Sequence, residues 1–139
     1  MDTQFNLERF VEAQAPVYRK VVAELEAGRK ATHWMWFIFP QIAGLGHSAM
    51  AQQYAIASAD EAAAYLAHPL LGERLRECSA LVAAVDDKEA VDIFDPPDDR
   101  KFHSSMTLFA EVAPHEAVFQ DNINKYFDGV PDQATIDRL

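Results

Sequence analysis

The segment "HWMWFIFPQ", residues 33–41, combines a large aromatic surface with few polar side chains. His33 and Gln41 are the polar residues at its two ends, and Trp34 and Trp36 lie between them. Small-molecule sites combine aromatic walls with a few polar groups that fix the ligand, so these residues are candidates for ligand binding. Buried aromatic side chains also supply much of the packing area of a core, so the segment is equally a candidate for core.

A glycine-rich turn, "GLGHS" at residues 44–48, follows this segment. Gly44 and Gly46 would let a ligand approach the backbone closely, and His47 and Ser48 stand just before a helix whose free amides attract anions. These residues are further candidates for binding an anionic group. The spacing is neither that of a dinucleotide fingerprint nor that of a P-loop, and it predicts no cofactor. A turn with only a structural role is the alternative.

The segment "RKFHSSMTLF", residues 100–109, places Lys101 and Ser105 four residues apart. On a helix, both side chains fall beside the apolar stripe of Phe102 and Phe109. In a functional interpretation Lys101 holds an anionic group and Ser105 donates a hydrogen bond, and we expect both to lie within reach of the aromatic segment or the glycine turn. The alternative is that Ser105 bonds the carbonyl of Lys101 while the lysine extends to water. A serine–lysine nucleophilic pair is conceivable, but no pattern marks an oxyanion hole, and the sequence names no catalytic residue.

The other reactive side chains predict neither a metal site nor a disulfide. The five histidines, at positions 33, 47, 68, 103 and 115, include no pair spaced four apart, and Cys78 is the single cysteine. Metal sites usually use such histidine pairs or thiolate clusters. Cys78 stands on an apolar helical pattern, which predicts a buried, unreactive thiol in a reducing compartment.

Charge and hydropathy limit the partners. Acidic residues outnumber basic residues 22 to 12, and the net charge of −10 repels phosphate backbones, so we expect no nucleic acid as the main partner. No apolar run approaches the roughly 20 residues of a membrane span, and the N-terminus does not resemble a signal peptide. We therefore expect a cytoplasmic protein without a membrane partner.

Apolar residues recur three and four positions apart along almost the whole chain. This periodicity predicts an all-α fold, with residues 1–139 forming a single compact domain of about seven to nine helices. Ser48 and Asp98 each precede a helical pattern and are expected to cap it, and either Ser58 or Asp60 is expected to begin the alanine-rich helix between them. The helix that follows Ser48 is expected to cover "AMAQQYAIA".

The aromatic segment is predicted to form a short buried helix that ends at Pro40. Trp34, Trp36 and Phe39 cannot all share one face of a helix. Neighbouring elements must then surround most of this helix, and we expect at least two of the three side chains to be largely buried.

Four segments together resemble one family: "LERFVEAQ", "GRKATHWMWFIFPQIAGLGHS", "YLAHPLLGERL" and "KFHSSMTLF". From about Leu7 to its C-terminus, the chain is similar to the bacterial family called domain of unknown function 1810. The resemblance implies a compact helical domain and brings no established activity with it. A calpastatin-like label sometimes given to the family finds no support here, since such an inhibitor would be a long, disordered, repetitive chain.

One segment departs from the family pattern. Where similar proteins usually have phenylalanine and glycine before a proline–aspartate turn, this chain has "FDPPD". Asp95 adopts a positive φ less readily than glycine, so we expect this loop to differ in shape.

Two hypotheses from different classes follow. The first is a pocket for a small anionic or nucleotide-like molecule, either a binding site or an enzyme active site, where the aromatic segment, the glycine turn and the lysine-bearing helix meet. The second is a non-enzymatic protein–protein interaction module without a ligand pocket. Its aromatic segment forms part of the core, and the sequence does not identify its protein partner. An enclosed cavity around the candidate residues favours the first, and a filled core favours the second.

Overall fold

The computed structural model describes residues 5–139, and the regular elements in this range are ten α-helices. They are α1 Glu8–Gln14, α2 Tyr18–Glu26, α3 Met35–Ile38, α4 Ala49–Gln53, α5 Ala59–Ala67, α6 Leu71–Ala83, α7 Ala90–Ile93, α8 Asp98–Val112, α9 Ala117–Tyr126 and α10 Gln133–Ile136. The all-α prediction is confirmed.

The number of helices exceeds the predicted seven to nine. The difference arises from very short elements, because α3, α7 and α10 have four residues each. Such single turns are too short for a periodic pattern to distinguish them from a turn in a loop.

Two of the three expected helix caps are confirmed. The Ser48 hydroxyl accepts a hydrogen bond of 3.1 Å from the Ala51 amide, and the Ser58 hydroxyl accepts one of 3.2 Å from the Glu61 amide. The expected cap at Asp98 is wrong, since Asp98 is the first residue of α8 and Pro97 precedes it.

Helix α4 ends at Gln53, earlier than its apolar pattern predicts. The cause is a parallel β-bridge between Ile42 and Ile56. The Ile56 amide donates to the Gln41 carbonyl and the Ala43 amide donates to the Ile56 carbonyl, both at 2.8 Å. Residues 43–55 therefore form a loop, here named the bridge loop, whose two ends lie side by side.

The buried apolar side chains form one cluster with aromatic rings at its centre. The Phe102 ring lies 5.0 Å from that of Phe39 and 4.8 Å from that of Phe94, measured between centroids. Trp34 and Phe39 are each 1% exposed, whereas Trp36 is only partly buried. At least two of the three aromatic residues named above are thus buried, as predicted.

Asp132 holds the start of α10 against α8. Its Oδ2 atom accepts hydrogen bonds from the Ser104 hydroxyl at 2.9 Å and from the Thr135 hydroxyl at 2.6 Å. Its backbone amide donates to the Thr107 hydroxyl at 2.9 Å. The last helix is consequently fixed by polar contacts to two positions of α8.

Within residues 5–139, no helix is long and apolar enough to cross a membrane.

Candidate functional site

A narrow recess lies where the aromatic segment, the bridge loop and α8 meet. Its lining includes Trp36, Gln41, Gly46, Tyr54 and Lys101. The cavity volume is about 10 Å³, which is space for roughly one water molecule. The recess is therefore a small concavity with aromatic and polar walls rather than an enclosed ligand chamber, so the enclosed cavity expected under the pocket hypothesis is not found here.

Lys101 extends from α8 over the aromatic segment. Its ammonium lies 5.3 Å from the centre of the Trp36 ring, within the range of a cation–π contact. The same ammonium lies 3.5 Å from Oδ1 of Asp98, one turn earlier on the helix. The expectation that Lys101 lies near the aromatic segment is confirmed.

Asp98 is shared between two lysines. Its Oδ2 atom lies 2.9 Å from the ammonium of Lys30, closer than the 3.5 Å contact with Lys101. The Lys30 side chain is only 9% exposed and its ammonium also lies 5.2 Å from the Trp34 ring. The buried lysine thus holds the aspartate more closely than the lysine at the recess does.

Gly46 permits the close packing that shapes the recess. A Cβ atom at this position would lie 2.5 Å from the Cβ of Ala51, far inside normal contact distance, and 4.0 Å from Oε1 of Gln41. The first turn of the bridge loop packs against α4, within the same loop, at a distance that leaves no room for a side chain at position 46.

Gly44 has φ +99°, a conformation that residues with a side chain rarely adopt. A Cβ atom here would lie 2.9 Å from Nε of Arg138, so the arginine from beyond α10 lies directly on the glycine backbone. Sequence reasoning missed Arg138, as it missed Tyr54 and Lys30, because only the tertiary fold brings these residues to the aromatic segment and its loop.

Trp34 lies in the core, outside the lining of the recess. Its indole N–H donates to Oε1 of Glu24 at 2.9 Å, and the same carboxylate accepts the amides of Ala31 at 2.6 Å and Thr32 at 3.0 Å. Burial raises the pKa of Glu24, but these hydrogen bonds and one from the Thr32 hydroxyl outweigh it and hold the pKa at about 2. The aromatic segment is thus partly core and partly recess wall. His33, just before Trp34, is exposed.

His47 and Ser48 are also exposed, and their polar contacts stay within the loop. The His47 carbonyl accepts from the Gln52 side chain at 2.9 Å, and the Ser48 hydroxyl caps α4. Helix α4 has only five residues, so its dipole would contribute little to the binding of an anion.

Ser105 is fully buried, one helical turn beyond Lys101. Its hydroxyl has no hydrogen-bond partner among residues 5–139, so the alternative reading in which it bonds the Lys101 carbonyl is wrong. The neighbouring Ser104 makes the equivalent bond instead, to the Arg100 carbonyl at 3.1 Å.

The loop with the unusual "FDPPD" sequence avoids the conformation that glycine favours. Asp95 is not among the residues with positive φ. Its carboxylate lies 3.3 Å from the guanidinium of Arg29 on the surface. The aspartate therefore takes part in an exposed ion pair.

A wider groove of about 240 Å³ lies between α5, α6 and the end of α8. Leu66 and Val112 contribute to its apolar floor, and Arg76 and Glu116 lie at its edge. The guanidinium of Arg76 donates to both oxygens of Glu116, at 2.5 and 2.9 Å. Because Arg76 and Glu116 are paired with each other, neither charge is free to orient a ligand in the groove. The recess, by contrast, has the ammonium of Lys101.

The fold and the recess together define a small helical domain, and comparison with known proteins identifies its family. The family model described as "Protein of unknown function (DUF1810)" matches residues 4–139, and the chain belongs to this family. The chain is also similar to the crystal structure of the conserved hypothetical protein Rv1873 from Mycobacterium tuberculosis. The two are 54% identical, the match covers 97% of this chain and 96% of that one, and the TM-score is 0.96. No curated protein matches the chain.

Proposed function

We propose that the protein binds a small anionic, nucleotide-like molecule at the recess, with Lys101 as the cation and Trp36 as a stacking surface. The observation that carries this proposal is the position of the Lys101 ammonium, 5.3 Å from the Trp36 ring at the lining of the recess. A cation beside a partly buried tryptophan suits a ligand that has both an anionic group and a planar group.

The ammonium of Lys101 retains donors for a ligand. Its contact with Asp98 is 3.5 Å long, beyond the usual 2.7–3.2 Å of a hydrogen bond. An ammonium carries three N–H donors. Since Lys30 holds Asp98 more closely, an incoming anion can approach Lys101 without displacing the aspartate from both of its partners.

The small volume of the recess limits how a ligand would sit. Only a small group fits into about 10 Å³, so most of a nucleotide would lie outside the recess, against the partly exposed side chains of Trp36 and Tyr54. Stacking of a base on an aromatic side chain contributes about 1–3 kcal/mol. The affinity would therefore depend mainly on stacking and on Lys101.

The geometry supports binding more than catalysis. The ionisable side chains that line the recess are Lys101 and Tyr54, and neither has an adjacent general base in the lining. Ser105, the candidate nucleophile, is 0% exposed and lies beneath the surface. The proposal therefore assigns the recess a ligand and no reaction.

Thermal unfolding with and without AMP tests the proposal. AMP at about one hundred times its dissociation constant is expected to stabilise the protein by about 2.7 kcal/mol. Lys101→Gln is expected to lose this stabilisation. Lys20→Gln, an equal charge change at an exposed position of α2, serves as the control and is expected to retain it.

The absence of any AMP-dependent shift in the unaltered protein would overturn the proposal. An equal shift in Lys101→Gln and in the unaltered protein would also overturn it, because binding would then occur elsewhere.

A further inference from the structure

We infer that Arg138 is the second cation of this site and that the anionic group it selects is a phosphate monoester. This inference rests on the proposed function and specifies the class of ligand. Its basis is the position of Arg138 against the same glycine turn whose other end lines the recess.

Arg138 lies on the backbone of the bridge loop. A Cβ atom on Gly44 would lie 2.9 Å from Nε of Arg138, 3.5 Å from its Cδ and 3.9 Å from its Cζ. The Nε end of the arginine side chain therefore occupies the space that a side chain at position 44 would need. The positive φ of Gly44, +99°, exposes the loop backbone to that side chain.

The two cations border one short piece of chain. Lys101 lines the recess together with Gly46, and Arg138 contacts Gly44. Two residues of chain span at most about 7 Å. The inferred site is a group bound on the glycine turn between these two glycines, with Lys101 at one end and Arg138 at the other.

Helix α10 holds Arg138 in this position. Asp132, at its start, is fixed to α8 by the Ser104 and Thr107 hydroxyls, at 2.9 Å each. Lys101 stands one helical turn before Ser104 on α8. The two cations thus belong to elements that are hydrogen-bonded to each other, and the distance between them is set by the fold.

The guanidinium of Arg138 has donors to offer. Its Nη1 atom donates to the Ala134 carbonyl at 3.0 Å. Its Nε and Nη2 atoms have no partner in the described part of the chain, and the residue is exposed. A guanidinium is a planar fork that binds two oxygens of one phosphate, whereas an ammonium acts as a point charge.

These features favour a phosphate over a carboxylate. A terminal phosphate has three oxygens and a charge near −2 at pH 7, so it can accept from the arginine fork and the lysine together. A carboxylate has two oxygens and a single charge, so it leaves more of the charge of two cations unbalanced than a phosphate does. Selection would therefore depend on both cations acting on one group.

Calorimetric titration with AMP, adenosine and inorganic phosphate tests the inference. Arg138→Gln is expected to weaken AMP binding about tenfold or more, as the loss of a charge-assisted hydrogen bond implies, with no effect on adenosine. Inorganic phosphate is expected to compete with AMP for the unaltered protein. Arg138→Lys, which keeps the charge and removes the fork, is expected to bind AMP with intermediate affinity.

Arg19→Gln is the matched control, because Arg19 is exposed on α2 and the change in net charge is identical. Equal weakening by Arg138→Gln and Arg19→Gln would overturn the inference, since the effect would then be one of overall charge. If Lys101→Gln abolished AMP binding and Arg138→Gln bound normally, the inference would fall and the proposed function would stand. If the unaltered protein did not bind AMP, both would fall.

Discussion

The carboxylate of Glu24 accepts the indole N–H of Trp34 at 2.9 Å, and with it the end of α2 fixes the largest side chain of the core. The same carboxylate accepts the backbone amides of Ala31 and Thr32, at 2.6 and 3.0 Å. One acidic side chain thus orders the loop between α2 and α3 and satisfies the polar atom of the buried indole.

Replacement of Glu24 with glutamine is expected to destabilise the fold at pH 7 by about 1–3 kcal/mol, because an amide cannot accept all of these bonds. The folded-state pKa of about 2 lies below the ordinary value of 4.5. The contribution of Glu24 is therefore present above about pH 4.5 and is lost as the pH falls toward 2. Denaturant unfolding between pH 7 and pH 3 measures the difference between the two proteins, which should shrink with acidity.

The matched control is Glu26→Gln, at an exposed position on the same helix, which should change stability little. A difference between Glu24→Gln and the unaltered protein that stayed constant from pH 7 to pH 3 would contradict the assignment.

Ser105→Ala is expected to leave the stability unchanged or to raise it by up to about 1 kcal/mol, because the buried hydroxyl has no partner to lose. Ser104→Ala is the matched variant on the same helix. It loses the bonds to Asp132 and to the Arg100 carbonyl and should cost about 1–2 kcal/mol. Denaturant unfolding of both variants measures the contrast. Equal losses would mean that Ser105 has a hydrogen-bond partner.

Gly46→Ala is expected to destabilise the fold by about 1–3 kcal/mol, since its new methyl group would lie 2.5 Å from that of Ala51. Ala51→Gly alone should cost about 1 kcal/mol, because glycine weakens a helix. The double variant removes the clash, so its loss should be smaller than the sum of the two single losses. Additive losses in a double-mutant cycle would exclude contact between the two positions.

Cys78 is expected to be inert toward a thiol reagent in the folded protein at pH 8. Burial raises its pKa to about 12, so almost no thiolate is present, and the side chain is 0% exposed. Absorbance with a chromogenic disulfide should show reaction only after denaturant is added. As a control, Cys78→Ala combined with Ala80→Cys places a thiol at an exposed position of α6, where immediate reaction is expected. Rapid labelling of native Cys78 would show that α6 opens readily.

The features of the fold that sequence predicts well are those that depend on nearby residues. Helix α8 and the serine caps at Ser48 and Ser58 follow from patterns within a few positions. The end of α4 cannot be predicted in this way, because it is set by pairing between Ile42 and Ile56. The periodicity of nearby residues carries no information about that pairing. The role of Asp98 could not be predicted from its neighbours either, because its carboxylate binds Lys30, which is far away in the sequence.

In the candidate site, too, the sequence predicts the features that depend on nearby residues and misses those that depend on the tertiary fold. A helical wheel places Lys101 beside the aromatic stripe, and the lysine indeed lies over Trp36. The wheel cannot distinguish Trp34 from Trp36, because that difference depends on Glu24 in another helix. Arg138 comes to the glycine turn only through the tertiary fold, and its sequence neighbourhood gives no sign of that contact.

The bridge between Ile42 and Ile56 makes residues 43–55 a segment that starts and finishes at one point of the structure. Extra residues inserted within its exposed part, away from the bridge itself, would not have to span any new distance. Even doubling the length of such a loop adds only about 0.6 kcal/mol of closure cost. The bridge loop is therefore a position where relatives can differ in length, and where a designer can graft a peptide, while the packed helices keep their places.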